Sequence, residues 1–183
     1  MRFAMAGRKL GLGAAVAAFF VTASMGIAAP EGAKRGAGAV AHGGSAEWPQ
    51  YRGPESDGST AETVKPWSGE LKVLWKIPVG DAFGSFAVAG GKAYLFAEHE
   101  SEKEACFAYD AATGKQLWAT DVDKTIHEGS GGNGPRSTPT ISGDRVYVLS
   151  TYLTLTCLNA ADGAVVWSHD LQSEFKGQNN TDG

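Results

Sequence analysis

The sequence contains little cysteine and no run of positive charge, and both shortages exclude classes of protein. Its 183 residues include two cysteines, Cys106 and Cys157, which stand too far apart in sequence to form a zinc-binding signature. An exported chain could join them in a disulfide, but we favour two buried free thiols, because unpaired cysteine packs as a small apolar side chain. The formal net charge is −4, and no Lys/Arg-rich stretch offers a patch for phosphates. Nucleic acid is therefore disfavoured as a partner.

Long apolar stretches are also missing. The longest, Leu10–Ala23, falls short of the roughly 20 residues that span a bilayer. It follows three basic residues and precedes the small residues of Gly26–Ala28, an order typical of a signal peptide, whereas the alternative is a membrane anchor. We predict that residues 1–28 are cleaved, so that the protein is exported to the periplasm or outside the cell and the mature chain has no membrane span. No cysteine follows this segment at which a lipid could be attached.

The mature chain shows no helical periodicity, and its first part shows little regular structure. Residues 29–47 are rich in Gly and Ala and have few large apolar side chains, which predicts a disordered lead. Residues 48–70 predict an irregular segment that docks on the folded body through its aromatic start, Trp48–Pro54. Residues 71–79 predict an isolated strand with Trp75 at its centre.

Two stretches of similar sequence follow, and each predicts four short antiparallel strands. The first spans residues 85–119 and contains the hairpin turn Gly90-Gly91. The second spans residues 136–169, where Gly143-Asp144 occupies the same place. A repeat of about 50 residues with four strands indicates a β-propeller blade. A β-sandwich or two unrelated hairpins would explain the strands but not the matching Gly, Tyr and Trp positions.

The most similar part of the two repeats is a turn that ends in tryptophan. It reads YDAATGKQLW in the first copy and LNAADGAVVW in the second. The Asp or Asn is predicted to bond the backbone ahead of it, the Gly to adopt positive φ, and the Trp to fill the wedge between neighbouring blades. The residues with these structural roles are Asp110, Gly114, Trp118, Asn159, Gly163 and Trp167.

These turns resemble the repeat of the PQQ-like (pyrroloquinoline quinone) β-propeller family. The stretch Gly134–Thr140 and the segment Trp48–Pro54 with Asp57-Gly58 resemble other parts of that family. The resemblance implies an all-β fold with propeller blades in residues 71–171. The chain is then a partial β-propeller, with two four-stranded antiparallel blades plus one orphan N-terminal strand.

Members of the family usually close eight blades into a ring, which implies that this chain is an N-terminal fragment or assembles from several copies. By resemblance, residues 71–79 would be the ring-closing strand of the last blade, and residues 172–183 a truncated tail. One turn departs from the family pattern, since Leu153 stands where Gly is common. Leucine is costly at positive φ, so either the turn type differs or the second blade is strained.

The resemblance leaves two classes of function open. Quinone-dependent dehydrogenases of the family bind PQQ beside Ca²⁺ held by carboxylate and amide oxygens and often carry adjacent cysteines. Cys106 and Cys157 are not adjacent, and no Asp stands in an identifiable base position. We therefore favour a non-catalytic, BamB-like binding or scaffold module with a protein partner, for example in envelope protein assembly, and predict no catalytic, metal-binding or cofactor-binding residue. PQQ and Ca²⁺ belong only to the dehydrogenase alternative.

A glycine-rich connection between the repeats is the remaining candidate for binding. It lacks the Lys-Ser/Thr that follows the glycines of a P-loop, so we interpret it as a loop on the propeller rim. Its residues are Gly129, Gly131, Gly132 and Arg136. The histidines His99, His127 and His169 show no metal-binding spacing.

Overall fold

The computed structural model describes residues 47–63, 66–127 and 132–178. The predicted signal peptide (1–28) and the predicted lead as far as residue 46 lie outside these ranges, so both stay predictions. Within the described ranges, no helix is long and apolar enough to cross a membrane.

In the described part of the chain, eight strands form two separate four-stranded antiparallel sheets, each ordered as in the sequence. The first sheet, blade 1, consists of β1 (Ala87–Ala89), β2 (Lys92–His99), β3 (Lys103–Asp110) and β4 (Gln116–Lys124). The second sheet, blade 2, consists of β5 (Thr140–Ser142), β6 (Arg145–Leu149), β7 (Thr154–Asn159) and β8 (Val165–Asp170). The predicted all-β fold with two four-stranded blades is confirmed.

The observed limits of the blades differ from the predicted 85–119 and 136–169. Strand β4 continues to Lys124, and β5 begins only at Thr140, because Pro139 has no N–H with which to pair. A short helix, α1 (Leu171–Phe175), follows β8 and runs into the predicted truncated tail at residues 172–183, where the sequence showed no helical periodicity. Asp170 explains it, since this carboxylate accepts the Gln172 and Ser173 amides as an N-cap.

The predicted ring-closing strand at residues 71–79 is not a strand in the structure. They carry no regular secondary structure and join neither of the two sheets. An isolated extended chain leaves its backbone groups to water, so it becomes a strand only beside a partner. The apolar side chains Leu71, Val73 and Leu74 are each more than 70% exposed.

The irregular segment that starts at residue 47 is fixed to the first strand of each blade. Trp48 and Val88 exchange two backbone hydrogen bonds of 2.8 Å, and the Ile141 amide donates to the Pro49 carbonyl at 2.8 Å. Gly53, with φ +77°, lies under the Trp48 ring, where a Cβ would approach the ring to 2.7 Å. The segment therefore ties β1 to β5.

The hydrophobic core consists of two layers, one on each face of blade 1. Side chains that alternate along a strand point to opposite faces, and both faces of β2 and β3 are covered, so their central residues are nearly all buried. The face toward blade 2 contributes Tyr94, Phe96, Cys106, Ala108 and Trp118, which pack on Val146, Val148, Leu158 and Ala160. The opposite face contributes Leu95, Ala97, Ala105, Phe107 and Tyr109, which pack on Ile77, Ala82 and Phe86.

Both cysteines are free and buried, and burial raises the pKa of the Cys106 thiol well above its ordinary value. Because the thiolate is the reactive form, we expect neither thiol to react with a thiol-specific dye in the native protein. Both should react after denaturation. Labelling followed by mass spectrometry measures this, and rapid modification of either cysteine under native conditions would contradict the burial.

Candidate functional site: the interface between the blades

The turn between β3 and β4 is organised by Asp110. Its Oδ1 accepts hydrogen bonds from the Thr113 hydroxyl at 2.8 Å, the Thr113 amide at 2.8 Å and the Ala112 amide at 3.1 Å. These bonds, that of the Thr113 hydroxyl foremost, hold the pKa of the Asp110 carboxyl below its ordinary value. Gly114 has φ +72° and donates its amide to the Asp110 carbonyl at 2.8 Å. The carboxylate therefore acts on the backbone of its own turn.

The turn between β7 and β8 repeats this geometry with Asn in place of Asp. The Asn159 Oδ1 accepts the Ala161 amide at 2.8 Å, and the Gly163 amide donates to the Asn159 carbonyl at 2.9 Å. Gly163 has φ +76°. Asp162 adds a bond from the Ala164 amide at 3.0 Å.

A β-bulge precedes the tryptophan in both blades. Trp118 pairs with Ala108, but the next pair joins Gln116 to Tyr109 and leaves Leu117 outside the ladder. Blade 2 has the same irregularity before Trp167. A bulge re-aims the side chains that follow it, so the two tryptophans share the same local backbone irregularity. The sequence analysis missed this feature, which strand alternation alone does not reveal.

Trp118 and two neighbours bind blade 2 through one carbonyl group. The Ala160 carbonyl accepts from the Lys92 Nζ at 2.9 Å, the Tyr94 hydroxyl at 3.3 Å and the Trp118 indole at 3.4 Å. The Trp118 ring lies on Gly163, where an added Cβ would meet it at 2.6 Å. Trp118 is 8% exposed, and its contact with the turn of blade 2 is the centre of the interface.

Trp75 makes the equivalent contact with the turn of blade 1. Its indole donates to the Ala111 carbonyl at 3.0 Å, and its ring lies 2.7 Å from the Cβ that Gly114 lacks. The sequence analysis placed Trp75 inside a strand and did not assign it this role. The match of LKVLW with GKQLW and GAVVW is the pattern that could have indicated it.

Trp167 has no neighbouring sheet beside it in the described part of the chain, so its role as a wedge stays a prediction. It is 36% exposed. Its partners lie on its own blade, with Tyr147 at 5.9 Å and His169 at 5.3 Å between ring centres. Blade 1 pairs Tyr94 with Trp118 in the same way, at 5.8 Å.

A second contact between the blades uses buried polar groups, which the sequence analysis did not single out. Glu104 of β3 is completely buried. Its carboxylate accepts the Thr151 hydroxyl at 2.5 Å and the Thr151 amide at 2.9 Å. Nearby, the Asp123 Oδ2 accepts the Ser150 hydroxyl at 2.7 Å. Two carboxylates of blade 1 therefore bind the turn between β6 and β7.

That turn contains Leu153 in a left-handed conformation, with φ +62°. Of the two alternatives left by the sequence, the structure shows the strained one. The Leu153 amide donates to the Ser150 carbonyl at 3.1 Å, and Asp123 accepts the Thr154 hydroxyl at 2.6 Å. These bonds, together with those of Glu104, offset the cost of leucine at positive φ, roughly 1–2 kcal/mol.

The predicted rim loop is only partly described, since Gly129 and Gly131 lie outside the described ranges. Gly132 contacts the Phe83 ring, which a Cβ would approach to 2.7 Å. Arg136 lies over the same ring at 5.0 Å and donates to the Gly134 carbonyl at 3.0 Å. The C-terminal side of the loop is therefore bound to the protein through Phe83 and Arg136.

Two histidines of the blades take part in exposed ion pairs. Asp121 accepts from the Lys103 Nζ at 2.6 Å and lies 2.7 Å from the His99 Nδ1, and these partners, Lys103 first, lower the pKa of its carboxyl. His169 pairs with Glu174 at 2.6 Å. Among the described residues, no group of three or more His, Cys, Asp or Glu could hold a metal ion.

A pocket of about 370 Å³ lies on the face of blade 1 opposite blade 2. Its wall includes the stacked rings of Phe107 and Tyr109, 6.1 Å apart, with His99 edge-on to Phe107 at 5.4 Å. Val79 and Gln116 also line this pocket.

A tryptophan ring lies on the turn glycine of each blade, Trp75 on Gly114 and Trp118 on Gly163. Two antiparallel blades joined by such a contact define a partial β-propeller. Residues 102–183 match the model of the PQQ-repeat family described as outer membrane protein assembly factor BamB. The match supports a PQQ-like β-propeller family for this part of the chain. A search of curated proteins found no match.

Solved structures with which the chain shows similarity include two dehydrogenases and one assembly factor. A europium-containing methanol dehydrogenase is 22% identical, with 46% of this chain and 14% of that chain covered and a TM-score of 0.35. BamB from Moraxella catarrhalis is 24% identical, with 49% and 22% covered and a TM-score of 0.33. Quinohemoprotein alcohol dehydrogenase from Comamonas testosteroni is 19% identical, with 54% and 14% covered and a TM-score of 0.40. The matched part spans less than a quarter of each of these structures.

Proposed function

We propose that this chain is part of an exported PQQ-like β-propeller that acts as a non-catalytic, protein-binding scaffold in the cell envelope and carries no quinone. The family match over residues 102–183, whose description names an outer membrane assembly factor, supports the assignment to the envelope. The predicted signal peptide at residues 1–28 supports export.

The exposed aromatic face of blade 2 is the observation that carries the proposal. Tyr147 and Trp167 have the same tilted arrangement, with interplanar angles of 49° and 53° in the two blades, that Tyr94 and Trp118 use to bind Ala160. Trp167, His169 and Phe175 continue as a row of contacting rings. Tyrosine and tryptophan are enriched where proteins bind proteins, so this face is suited to a further protein surface, either a following blade or a partner protein.

The use of the acidic side chains within the fold also supports a scaffold. Asp110 and Asp170 bond the backbone of a turn and of a helix end, Asp121 pairs with Lys103, and Glu104 and Asp123 bind the neighbouring blade. A general acid or base needs a carboxyl within reach of a substrate proton, whereas these carboxylates accept hydrogen bonds from the protein itself.

The proposal predicts no quinone-dependent turnover. The purified chain is mixed with PQQ and Ca²⁺, and dye-linked oxidation of alcohols and sugars is measured together with quinone absorbance. We expect no turnover and no stoichiometric uptake of quinone. Uptake of one quinone per chain with turnover would replace the scaffold by the dehydrogenase alternative.

Binding to an envelope protein is tested in cells with a photo-crosslinking amino acid at position 175, on the exposed aromatic face. A matched probe at Tyr51, which is equally exposed at 67%, serves as the control. We expect a discrete crosslinked envelope protein only from position 175, and its loss when Trp167→Ala is added. Identical products from both positions would count against a binding surface on blade 2.

A further inference from the structure

Trp118 and Trp75 contact the turn of a blade through the same two interactions. The Trp118 indole donates to the Ala160 carbonyl at 3.4 Å, and the Trp75 indole donates to the Ala111 carbonyl at 3.0 Å. Each ring also lies on the glycine three residues after that carbonyl, where an added Cβ would approach it to 2.6–2.7 Å. One turn geometry therefore receives tryptophan from two different parts of the chain.

Blade 2 carries the tryptophan side of this contact, but no turn glycine lies against it within the described part of the chain. Trp167 and Tyr147 occupy the places that Trp118 and Tyr94 occupy in blade 1. Among the described residues, neither the Trp167 indole nor the Tyr147 hydroxyl takes part in a hydrogen bond. Phe175, which is 67% exposed, extends the same row of rings. This face of blade 2 therefore offers two donors beside an exposed aromatic surface.

The receiving face of blade 1 is covered by an irregular segment rather than by a sheet. Residues 71–86 form no strand, and only some of their side chains, such as Ile77, pack on this face. A pocket of about 370 Å³ remains between residues 78–80 and the rings of Phe107 and Tyr109. The equivalent face of blade 2 is covered by the sheet of blade 1, so the cover of blade 1 is the less complete of the two.

We propose that this chain self-associates head to tail, with the face of blade 2 that carries Tyr147 and Trp167 bound to blade 1 of a second copy in place of residues 71–79. The Trp167 indole donates to the Ala111 carbonyl of the second copy, and the Trp167 ring lies on Gly114 there. The inference rests on the proposed protein-binding role of this face and names a second copy of the chain as its partner.

The proposed contact repeats an interface that the chain already makes within itself. Blade 2 meets the second copy's blade 1 as blade 1 meets blade 2 in one chain. Because two different surfaces meet, the contact is heterologous, and copies join into open chains or closed rings. Trp75 of the second copy must leave Gly114, since one glycine receives one ring. Its lost contact is offset because a sheet covers the pocket that residues 78–80 leave open.

The first test measures the mass of the purified full chain by light scattering over a range of concentrations. We expect the mass to rise with concentration to about twice that of one chain or more. Trp167→Ala should stay monomeric, because it lacks the ring that enters the turn. Trp75→Ala should associate at a concentration up to about tenfold lower, because loss of its hydrogen bond opens the turn. The matched control Trp67→Ala, at a position that is 63% exposed, should follow the parent.

A mixing experiment shows whether the contact is head to tail. Gly114→Ala obstructs the receiving turn but keeps Trp167, whereas Trp167→Ala keeps the turn. Each variant alone should be monomeric, and an equimolar mixture should form a dimer with a single contact. Association of Gly114→Ala alone would mean that the faces of blade 2 bind each other, and would overturn the proposal.

Crosslinking keeps the proposal testable if Gly114→Ala folds poorly. A photo-crosslinking amino acid is placed at position 175 in a mixture of ¹⁵N-labelled and unlabelled chains. We expect crosslinks that join a labelled to an unlabelled chain within residues 111–116. A monomeric mass at every concentration, with crosslinks only within one chain, would exclude self-association. Capture of a different envelope protein in cells would then leave the proposed scaffold intact, whereas self-association without such capture would support this inference and remove the envelope partner.

Discussion

Replacement of Trp118 by alanine is expected to destabilise the protein more than any other single side-chain truncation that we consider. Trp118 is 8% exposed, packs in the layer shared by both blades and donates to the Ala160 carbonyl. Truncation of a buried Trp costs about 3–5 kcal/mol in free energy of unfolding. For a chain of this size that corresponds to a fall in melting temperature on the order of 10 °C, measurable by circular dichroism or calorimetry.

Trp167→Ala is the matched control, since Trp167 occupies the same position in blade 2. It is 36% exposed, and its ring partners Tyr147 and His169 lie on its own blade. Its truncation should cost about 1 kcal/mol, as is usual outside a closed core. Equal losses for the two variants would show that the contact with Gly163 and Ala160 is not what stabilises Trp118.

The local features of the fold could be predicted from sequence because each depends on residues close together in the chain. Two meanders of four strands can be predicted from local signals alone. These signals are the hairpin glycines, the turns at Asp110 and Asn159, and the alternation of side chains along each strand. The exposure of Trp167 depends instead on what covers blade 2. A repeat assigns both tryptophans one role, and for Trp167 that role stays a prediction.

The polar contact between the blades could not be predicted because its partners are distant in sequence. Nothing local distinguishes Glu104 from the exposed acids of the same charged stretch. Its burial follows from the register that sets it beside Glu98 and Asp123, and its bonds depend on the approach of Thr151 from blade 2. The strained Leu153 likewise follows from bonds that Ser150, Thr151 and Thr154 make across the interface.

Replacement of Gly163 by alanine is expected to separate the blades from the opposite side of the same contact. Gly163 has φ +76°, and an added Cβ would lie 2.6 Å from the Trp118 ring and 2.6 Å from the Thr120 hydroxyl oxygen. The left-handed backbone costs roughly 1–2 kcal/mol for alanine, and the overlap adds about 1–3 kcal/mol as an overpacked core does. The expected result is a loss of about 2–5 kcal/mol, measured by denaturant unfolding.

Gly143→Ala separates the cost of the left-handed backbone from the cost of overlap with neighbouring side chains. Gly143 is also left-handed, with φ +59°, but an added Cβ there would meet nothing within 4 Å. It should therefore lose only the backbone term of roughly 1–2 kcal/mol. A loss for Gly163→Ala no larger than that for Gly143→Ala would mean that the Trp118 ring moves aside without cost.

The double variant Trp118→Ala/Gly163→Ala decides whether the ring and the glycine form one contact. If the overlap with the Trp118 ring causes part of the extra cost at Gly163, removal of the ring frees space on that side of the new methyl group. The cost of Gly163→Ala should then fall toward the backbone term that Gly143→Ala shows, and any excess over that term measures the overlap with the Thr120 hydroxyl oxygen, which remains. The two losses should therefore be non-additive by about 1–3 kcal/mol, within the range found for residues in direct contact. Additive losses would mean that Gly163 is required by its turn alone, and that the position of Trp118 over it is incidental to the stability of the interface.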